Sequence, residues 1–187
     1  IGVTGSDGKT TTTTIIAEFL KEAGKNVYVG GNIGRPLLAD VADMVEEDYA
    51  VLELSSFQLM TMEQSPHIAV VTNISPNHLD YHHTMEEYRR AKGLLFAQCR
   101  RSVVNLDDEA GRWYAGRISG PVFTYSENRA QADLTARNIR LFPGHVEFEA
   151  VTLGHIARVH LPIPGGFSIY NALAALSAGL CLGLGLK

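Results

Sequence analysis

Residues 2–11 read Gly-Val-Thr-Gly-Ser-Asp-Gly-Lys-Thr-Thr. A glycine-rich turn ending in Lys-Thr at the start of a helical pattern aims backbone N–H groups at phosphate oxygens. It also puts a lysine on the phosphate tail and offers a threonine hydroxyl to magnesium. Gly5, Ser6, Asp7, Gly8, Lys9, Thr10 and Thr11 are therefore the candidate contacts of a nucleoside triphosphate. The spacing departs from G-x-x-x-x-G-K-[ST]: Val3 stands where the first glycine would be, and the spare glycine is Gly5. An ordinary glycine-rich strand-to-helix turn is the competing reading. It leaves Lys9 unexplained, because a cation at a helix N-terminus opposes the helix dipole unless an anion is present.

Three other places carry candidate chemistry. Glu53 ends the apolar run Ala50-Val51-Leu52. A carboxylate there is costly to bury unless it is paired or holds a metal. Magnesium takes oxygen ligands shared with phosphates, so Glu53 and Thr10 are candidate ligands; an exposed carboxylate at a strand end is the alternative. The segment His78-Leu79-Asp80-Tyr81-His82-His83 suggests, by itself, a zinc or manganese hydrolase site, or a polar loop capping the next helix. With the phosphate loop present, magnesium is the expected metal and His78 an additional ligand. Lys92, within Tyr88-Arg89-Arg90-Ala91-Lys92, reads in isolation as a helical lysine on a solvated face.

These residues need strands and helices to hold them. The pattern predicts a helix over 10–23, with Ile15, Ile16, Phe19 and Leu20 on one face and Gly24 at its end. Thr10 to Thr14 are poor helix formers, so packing or ligand must support that first turn. A strand over 26–29, a tight loop over 30–34 and a short helix from Pro36 follow. Strands are expected over 49–54, 67–72, 102–105 and 121–125. Helices are expected over 84–98, with Thr84 and Glu87 as a capping box, and over 107–115. This β-α rhythm implies an α/β fold: a mostly parallel sheet with helices on both faces. Over 134–161 three strand-like runs, separated by Pro143-Gly144 and Gly154, predict a small antiparallel meander. A final helix starts near Ser168. In such sheets ligands sit beyond the carboxyl ends of the strands. The phosphate loop, Asn32, Glu53 with Ser55, and Asn73 with His78 fall after the first, second, third and fourth strands.

With 187 residues the chain suits one domain, and 45% hydrophobic with 19% charged residues is ordinary for a globular protein. A net charge of −4 argues against a broad basic face and so against nucleic acid as partner. Cys99 and Cys181 lie in no metal-type spacing and read as reduced thiols, which fits a reducing compartment. The apolar run 172–186 has fifteen residues with three glycines, reading as a buried helix rather than a membrane span. The chain opens directly on the strand-like Ile1-Gly2-Val3, which leads us to expect preceding residues in the natural protein.

Thr4-Gly5-Ser6-Asp7-Gly8-Lys9-Thr10-Thr11, Asn73 with His78-Leu79-Asp80, Tyr88 with Ala91-Lys92, Asn105-Leu106-Asp107-Asp108 and Asn171-Ala172-Leu173-Ala174-Ala175 occur in that order. Together they resemble the central ATP-binding domain of the Mur ligases, cytoplasmic enzymes that add amino acids to the peptidoglycan precursor. Gly30-Gly31-Asn32-Ile33-Gly34 and Leu52-Glu53-Leu54-Ser55-Ser56-Phe57-Gln58-Leu59 resemble the D-glutamate-adding branch; the branch adding the third residue is the runner-up.

The resemblance implies that 1–187 is the central domain alone, without the family's N-terminal UDP-binding and C-terminal domains. It implies ATP, two magnesium ions, a UDP-linked muramoyl precursor and D-glutamate as ligands, in a monomer with no membrane partner. Lys9 and the backbone of 5–10 would hold the β- and γ-phosphates. Thr10 and Glu53 would bind one magnesium, and His78 and Lys92 the second, Lys92 as a carbamate; Lys9, Lys92 and His78 are thus the implied catalytic set. Asn32 and Ser55 would lie by the substrate and Asn171 by adenine. Asp7 and Ser168 stand where the family usually has asparagine. The implied reaction runs through an acyl phosphate, and this chain by itself is expected not to ligate. Another phosphate-loop kinase or ATPase, and a metal hydrolase built on His78, Asp80 and His82, remain alternatives.

Overall fold

The computed structural model describes residues 1–34, 36–76 and 79–186. Strand β1 (Gly2–Thr4) leads into helix α1 (Lys9–Glu22) and strand β2 (Val27–Gly31). Two 3-10 turns, Leu37–Ala39 and Val41–Asp43, precede β3 (Tyr49–Glu53), α2 (Ser56–Thr61) and β4 (Ile68–Val71). Then come α3 (Leu79–His82), α4 (Met85–Gly93), β5 (Arg101–Asn105), α5 (Glu109–Ala115) and β6 (Val122–Ser126). Strands β7 (Leu134–Leu141), β8 (Val146–Thr152) and β9 (His155–Leu161) precede the last helix, α6 (Phe167–Cys181).

The nine strands among the described residues form one sheet in the order β2-β3-β1-β4-β5-β6-β7-β8-β9. Pairing is parallel from β2 across to β7 and antiparallel between β7, β8 and β9. The meander expected from the sequence is thus an extension of the main sheet.

The sheet separates two cores. Along β4, Ile68 and Val70 join α1 and α6 residues such as Ile16, Leu20, Ile169 and Leu173 on one face. Ala69 and Val71 join Leu59 of α2, Tyr88 of α4 and Tyr114 of α5 on the other. Strands covered on both faces read as continuous apolar runs, which is why Val70-Val71 and Val103-Val104 lack polar alternation. In β8 the pattern changes. Val146, Phe148 and Ala150 are buried, while Glu147 and Glu149 point to the less covered face.

Several boundaries differ from the sequence reading. The helix expected over 84–98 stops at Gly93 and tightens into a 3-10 turn, Leu94–Phe96, after which the Gln98 N–H bonds Ser65 Oγ. Pro36 is extended rather than helical, and only 3-10 turns follow it. Helix α5 begins after Asp108, whose carboxylate accepts the Gly111 N–H as an N-cap. Helix α2 was not expected. Its sequence signal was present in Ser55 and Gln58, which form a complete capping box. Helix α1 ends as its glycine predicts. The N–H groups of Gly24 and Lys25 bond the carbonyls of Lys21 and Leu20, and Gly24 takes φ 74°.

Candidate functional site

The turn between β1 and α1 is held from beneath by the segment after β4. Asn73 accepts the Ser6 N–H on its carbonyl (2.8 Å) and the Asp7 N–H on Oδ1 (3.1 Å). Thr72 Oγ1 and Asn73 Nδ2 donate to the Asp7 carbonyl. Ser6 Oγ donates to the Ser75 carbonyl and accepts the Ser75 N–H, so its side chain ties loops together rather than facing a ligand. Gly8 sits in the left-handed region at φ 78°, and a Cβ there would lie 2.1 Å from Asn171 Oδ1. It starts α1 without any side-chain cap, so the first-turn N–H groups of Lys9, Thr10 and Thr11 have no cap partner. That is the geometry of a phosphate cradle. Lys9 folds back over it, donating from Nζ to the carbonyls of Gly5 and Ser6 at 3.0 Å each.

Glu53, only 3% exposed, reaches this loop from the end of β3. Thr10 Oγ1 donates to its Oε2 (2.7 Å) and Asn32 Nδ2 to its Oε1 (3.1 Å). Thr10 and Glu53, distant in sequence, thus place hard oxygen donors at the lysine turn, with Asn32 holding the carboxylate. Burial of the carboxylate is offset by these two hydrogen bonds.

Lys92 comes up from α4 on the other side of β1 and is 2% exposed. Its Nζ donates to Thr4 Oγ1 (3.1 Å), which in turn donates to the Leu54 carbonyl. Burial first, then the charge of Lys9, pull the Lys92 ammonium down to about 7, with Glu53 working in the opposite direction. The solvated helix face of the sequence reading is therefore wrong for Lys92. Its neighbours are the two charges of the candidate site.

Beyond Gly8 opens a cleft of about 510 Å³, lined among others by Asn73, Asn105, Asp107, Tyr170 and Asn171. Asp107 is its polar hub. Ser126 Oγ, the Glu127 N–H, the Asn128 N–H and Tyr170 Oη all donate to its carboxylate. Burial alone would raise Asp107; these hydrogen bonds prevail and hold it below the usual carboxylate range. Asn105, Asp107 and Tyr170 had no site role in the sequence reading. The signal was there, since Asn105 ends β5 and strand ends carry ligands in parallel sheets.

Other expected residues fare differently. Asn171, the residue expected near adenine, packs against the turn at Gly8. Ser55 is engaged as the N-cap of α2, accepting the Gln58 N–H on Oγ. Ser168 is fully buried and donates to the Ile163 and Gly165 carbonyls, inside the turn before α6 rather than in the cleft. The Asp7 carboxylate accepts from Ser75 Oγ at the exposed rim. His78 lies outside the described residues. His82 is buried with Nε2 2.8 Å from Ser56 Oγ and packs on Phe57 and Tyr88. Buried and engaged by Ser56, His82 gives the metal hydrolase reading no support.

Residues 3–179 match the family model described as Mur ligase middle domain. The chain belongs to the Mur ligase family. A curated relative named UDP-N-acetylmuramoylalanine--D-glutamate ligase, from Acetivibrio thermocellus, is 44% identical to this Mur ligase domain over 182 residues, 94% of the chain and 38% of the relative. The chain therefore spans well under half the length of that relative. A solved UDP-N-acetylmuramoyl-L-alanyl-D-glutamate--2,6-diaminopimelate ligase superposes with TM-score 0.89 and 28% identity, covering 100% of this chain and 44% of that one. The MurF ligase of Thermotoga maritima, solved in complex with ADP, shares the fold: TM-score 0.78, 22% identity, and coverage of 100% of this chain and 46% of that one. No helix among the described residues of the Mur ligase domain is long and apolar enough to cross a membrane.

Proposed function

We propose that this chain is the ATP-binding domain of a cytoplasmic, monomeric ligase that joins D-glutamate to UDP-N-acetylmuramoyl-L-alanine, with the precursor-binding and amino-acid-binding parts lying in other domains. The name of the 44% identical relative supports the choice of D-glutamate. The observation that carries the proposal is the meeting of Lys9, Thr10, Glu53 and Lys92 around one turn. The β- and γ-phosphates lie on the N–H groups of α1 and on Lys9, and adenine enters the cleft beside Asn171. Asn32 and Ser55 border the precursor.

The residues present suit magnesium. Glu53 and Thr10 are adjacent oxygen donors of the hard type it prefers, and Lys92 as a carbamate with His78 would serve a second ion. Bound there, magnesium would neutralise phosphate charge and so ease approach of a carboxylate. The protein's own part is positional. The precursor carboxylate attacks the γ-phosphorus, the bond to the β-phosphate oxygen breaks, and ADP leaves with an acyl phosphate formed. The D-glutamate amine then attacks the acyl carbon, losing a proton as phosphate leaves. Lys9 holds charge on the transferred group, and the α1 N–H groups fix its direction.

The carbamate reading has a physical basis in Lys92. An amine must be neutral to add to carbon dioxide, and burial brings Lys92 near neutrality at about pH 7. The amine nitrogen bonds the carbon, and one proton is released. Without the other domains, substrate orientation worth about 7–11 kcal/mol is missing, so the chain should bind nucleotide without ligating. Calorimetric titration with ATP and magnesium tests the reading. Binding in the chain, weakened roughly tenfold or more by Lys9→Ala, is expected; equal binding by both proteins would refute it.

A further inference from the structure

Among the described residues, one group of histidine, cysteine or acidic side chains is close enough to hold a metal ion: His145, Glu147 and His160. It lies on the antiparallel end of the sheet, on strands that contribute nothing to the lysine turn. We infer that these three residues form a binding site for one borderline transition-metal dication, of which Zn²⁺ is the reference ion.

The strand register builds the group. Glu147 of β8 stands directly opposite His160 of β9. His145 precedes Glu147 by two residues and so projects from the same face of the chain. That face, shared by Glu147 and Glu149, lies opposite the buried Val146, Phe148 and Ala150. His145 Nε2 lies 3.7 Å and His160 Nδ1 3.6 Å from the same oxygen, Glu147 Oε1. All three donor atoms lie within 4.8 Å of one another. Ligands held tetrahedrally at about 2.0–2.1 Å from zinc are about 3.3–3.4 Å apart. Metal binding therefore requires a small side-chain adjustment, which the more exposed Glu147 and His160 can make.

Two features fix the rings in place. Phe142 stacks on His145 with centroids 4.4 Å apart and planes 11° from parallel. The Phe142 N–H bonds the His145 carbonyl (3.0 Å), closing the turn between β7 and β8. The two imidazoles are 4.5 Å apart, tilted 36°. Paired rings sharing one carboxylate oxygen offer two nitrogen lone pairs and a negative charge to a single point. Imidazole suits Zn²⁺, Cu²⁺ and Ni²⁺ and discriminates against magnesium, whose preferred ligands are oxygen. His160 is the most exposed of the three, with 61% of its side chain accessible, so a fourth position faces water. The competing account is a carboxylate that merely neighbours two imidazoles and holds no ion.

The test is titration of the chelator-stripped chain with Zn²⁺ and, separately, with Co²⁺, which reports its ligands in the visible spectrum. One ion per chain at micromolar concentration is expected. His145→Asn and His160→Asn should each weaken binding by roughly tenfold or more, and Glu147→Gln should do the same. A saturating excess should raise Tm by roughly 5 °C in the wild type and leave the His145→Asn/His160→Asn protein unshifted. An unchanged far-ultraviolet circular dichroism spectrum checks that these variants fold. Absence of uptake at micromolar zinc, or equal uptake by the double variant, overturns the inference. The first outcome leaves the three side chains without an ion, and the second places the metal elsewhere.

Discussion

In the parallel part of the sheet, polar side chains cluster where strands end: Glu53 at the end of β3 and Asn73 after β4 reach the loop that follows β1, and Asn105 at the end of β5 lines the adjoining cleft. In the antiparallel extension they meet along the strands, as Glu147 and His160 do across one register pair. The difference comes from burial. Strands covered on both faces can show chemistry only at their ends, whereas β8 and β9 keep a face on which cross-strand neighbours meet. One consequence is that sites of the first kind need several loops to agree, and those of the second need only correct register.

The largest effect expected in the parallel part concerns Lys92. Its pKa falls from 10.5 to about 7 on folding. The unfolded chain therefore binds more protons between those values, and stability rises with pH from about 7 toward 10.5. The full penalty, roughly 4–5 kcal/mol, is felt below pH 7. Lys92→Met should be more stable than the wild type at pH 6, in buffer free of carbon dioxide, with the two converging by pH 10. Urea denaturation across that range reads it, and parallel curves would remove the buried cation from the account.

Core truncation comes next. Leu173→Ala in α6, at a fully buried position, should cost about 3 kcal/mol in denaturant unfolding. Changing the open face, for instance Ile156→Thr at a position 68% exposed, should cost less than about 0.5 kcal/mol. Equal losses would erase the contrast between the two parts.

Gly8→Ala should cost about 2 kcal/mol and abolish measurable nucleotide binding, because the residue needs φ 78° and the new methyl would strike Asn171. Gly24→Ala has the same left-handed requirement at φ 74° with open space around it. It should cost only about 1 kcal/mol and leave nucleotide binding intact. Thermal unfolding with and without nucleotide separates the two glycines.

Much of this was legible in the sequence. The lysine turn, the parallel rhythm and the strand-end positions of Asn32, Glu53 and Asn73 follow from local pattern plus one topological rule. Helix α2 was legible too, in Ser55 and Gln58, yet a six-residue helix gives too short a period to stand out. Lys92 was not. Nothing on its own helix distinguishes it, and its burial against Thr4 depends on how α4 crosses the sheet. The same is true of Asp107, whose partners Ser126, Asn128 and Tyr170 come from two other segments. The histidine pair of the extension was hidden for a further reason: His145 and His160 are brought together only by the pairing of β8 with β9.

The central claim is that the ends of the parallel strands gather around one triphosphate and its divalent ions. A crystal structure of the chain with a non-hydrolysable ATP analogue and magnesium tests it most directly. We expect the β- and γ-phosphates on the Lys9 turn, magnesium within about 2.1 Å of an oxygen ligand at Thr10 or Glu53, and the base beside Asn171. A triphosphate bound away from that turn, with Glu53 and Lys92 remote from the metal, would contradict it.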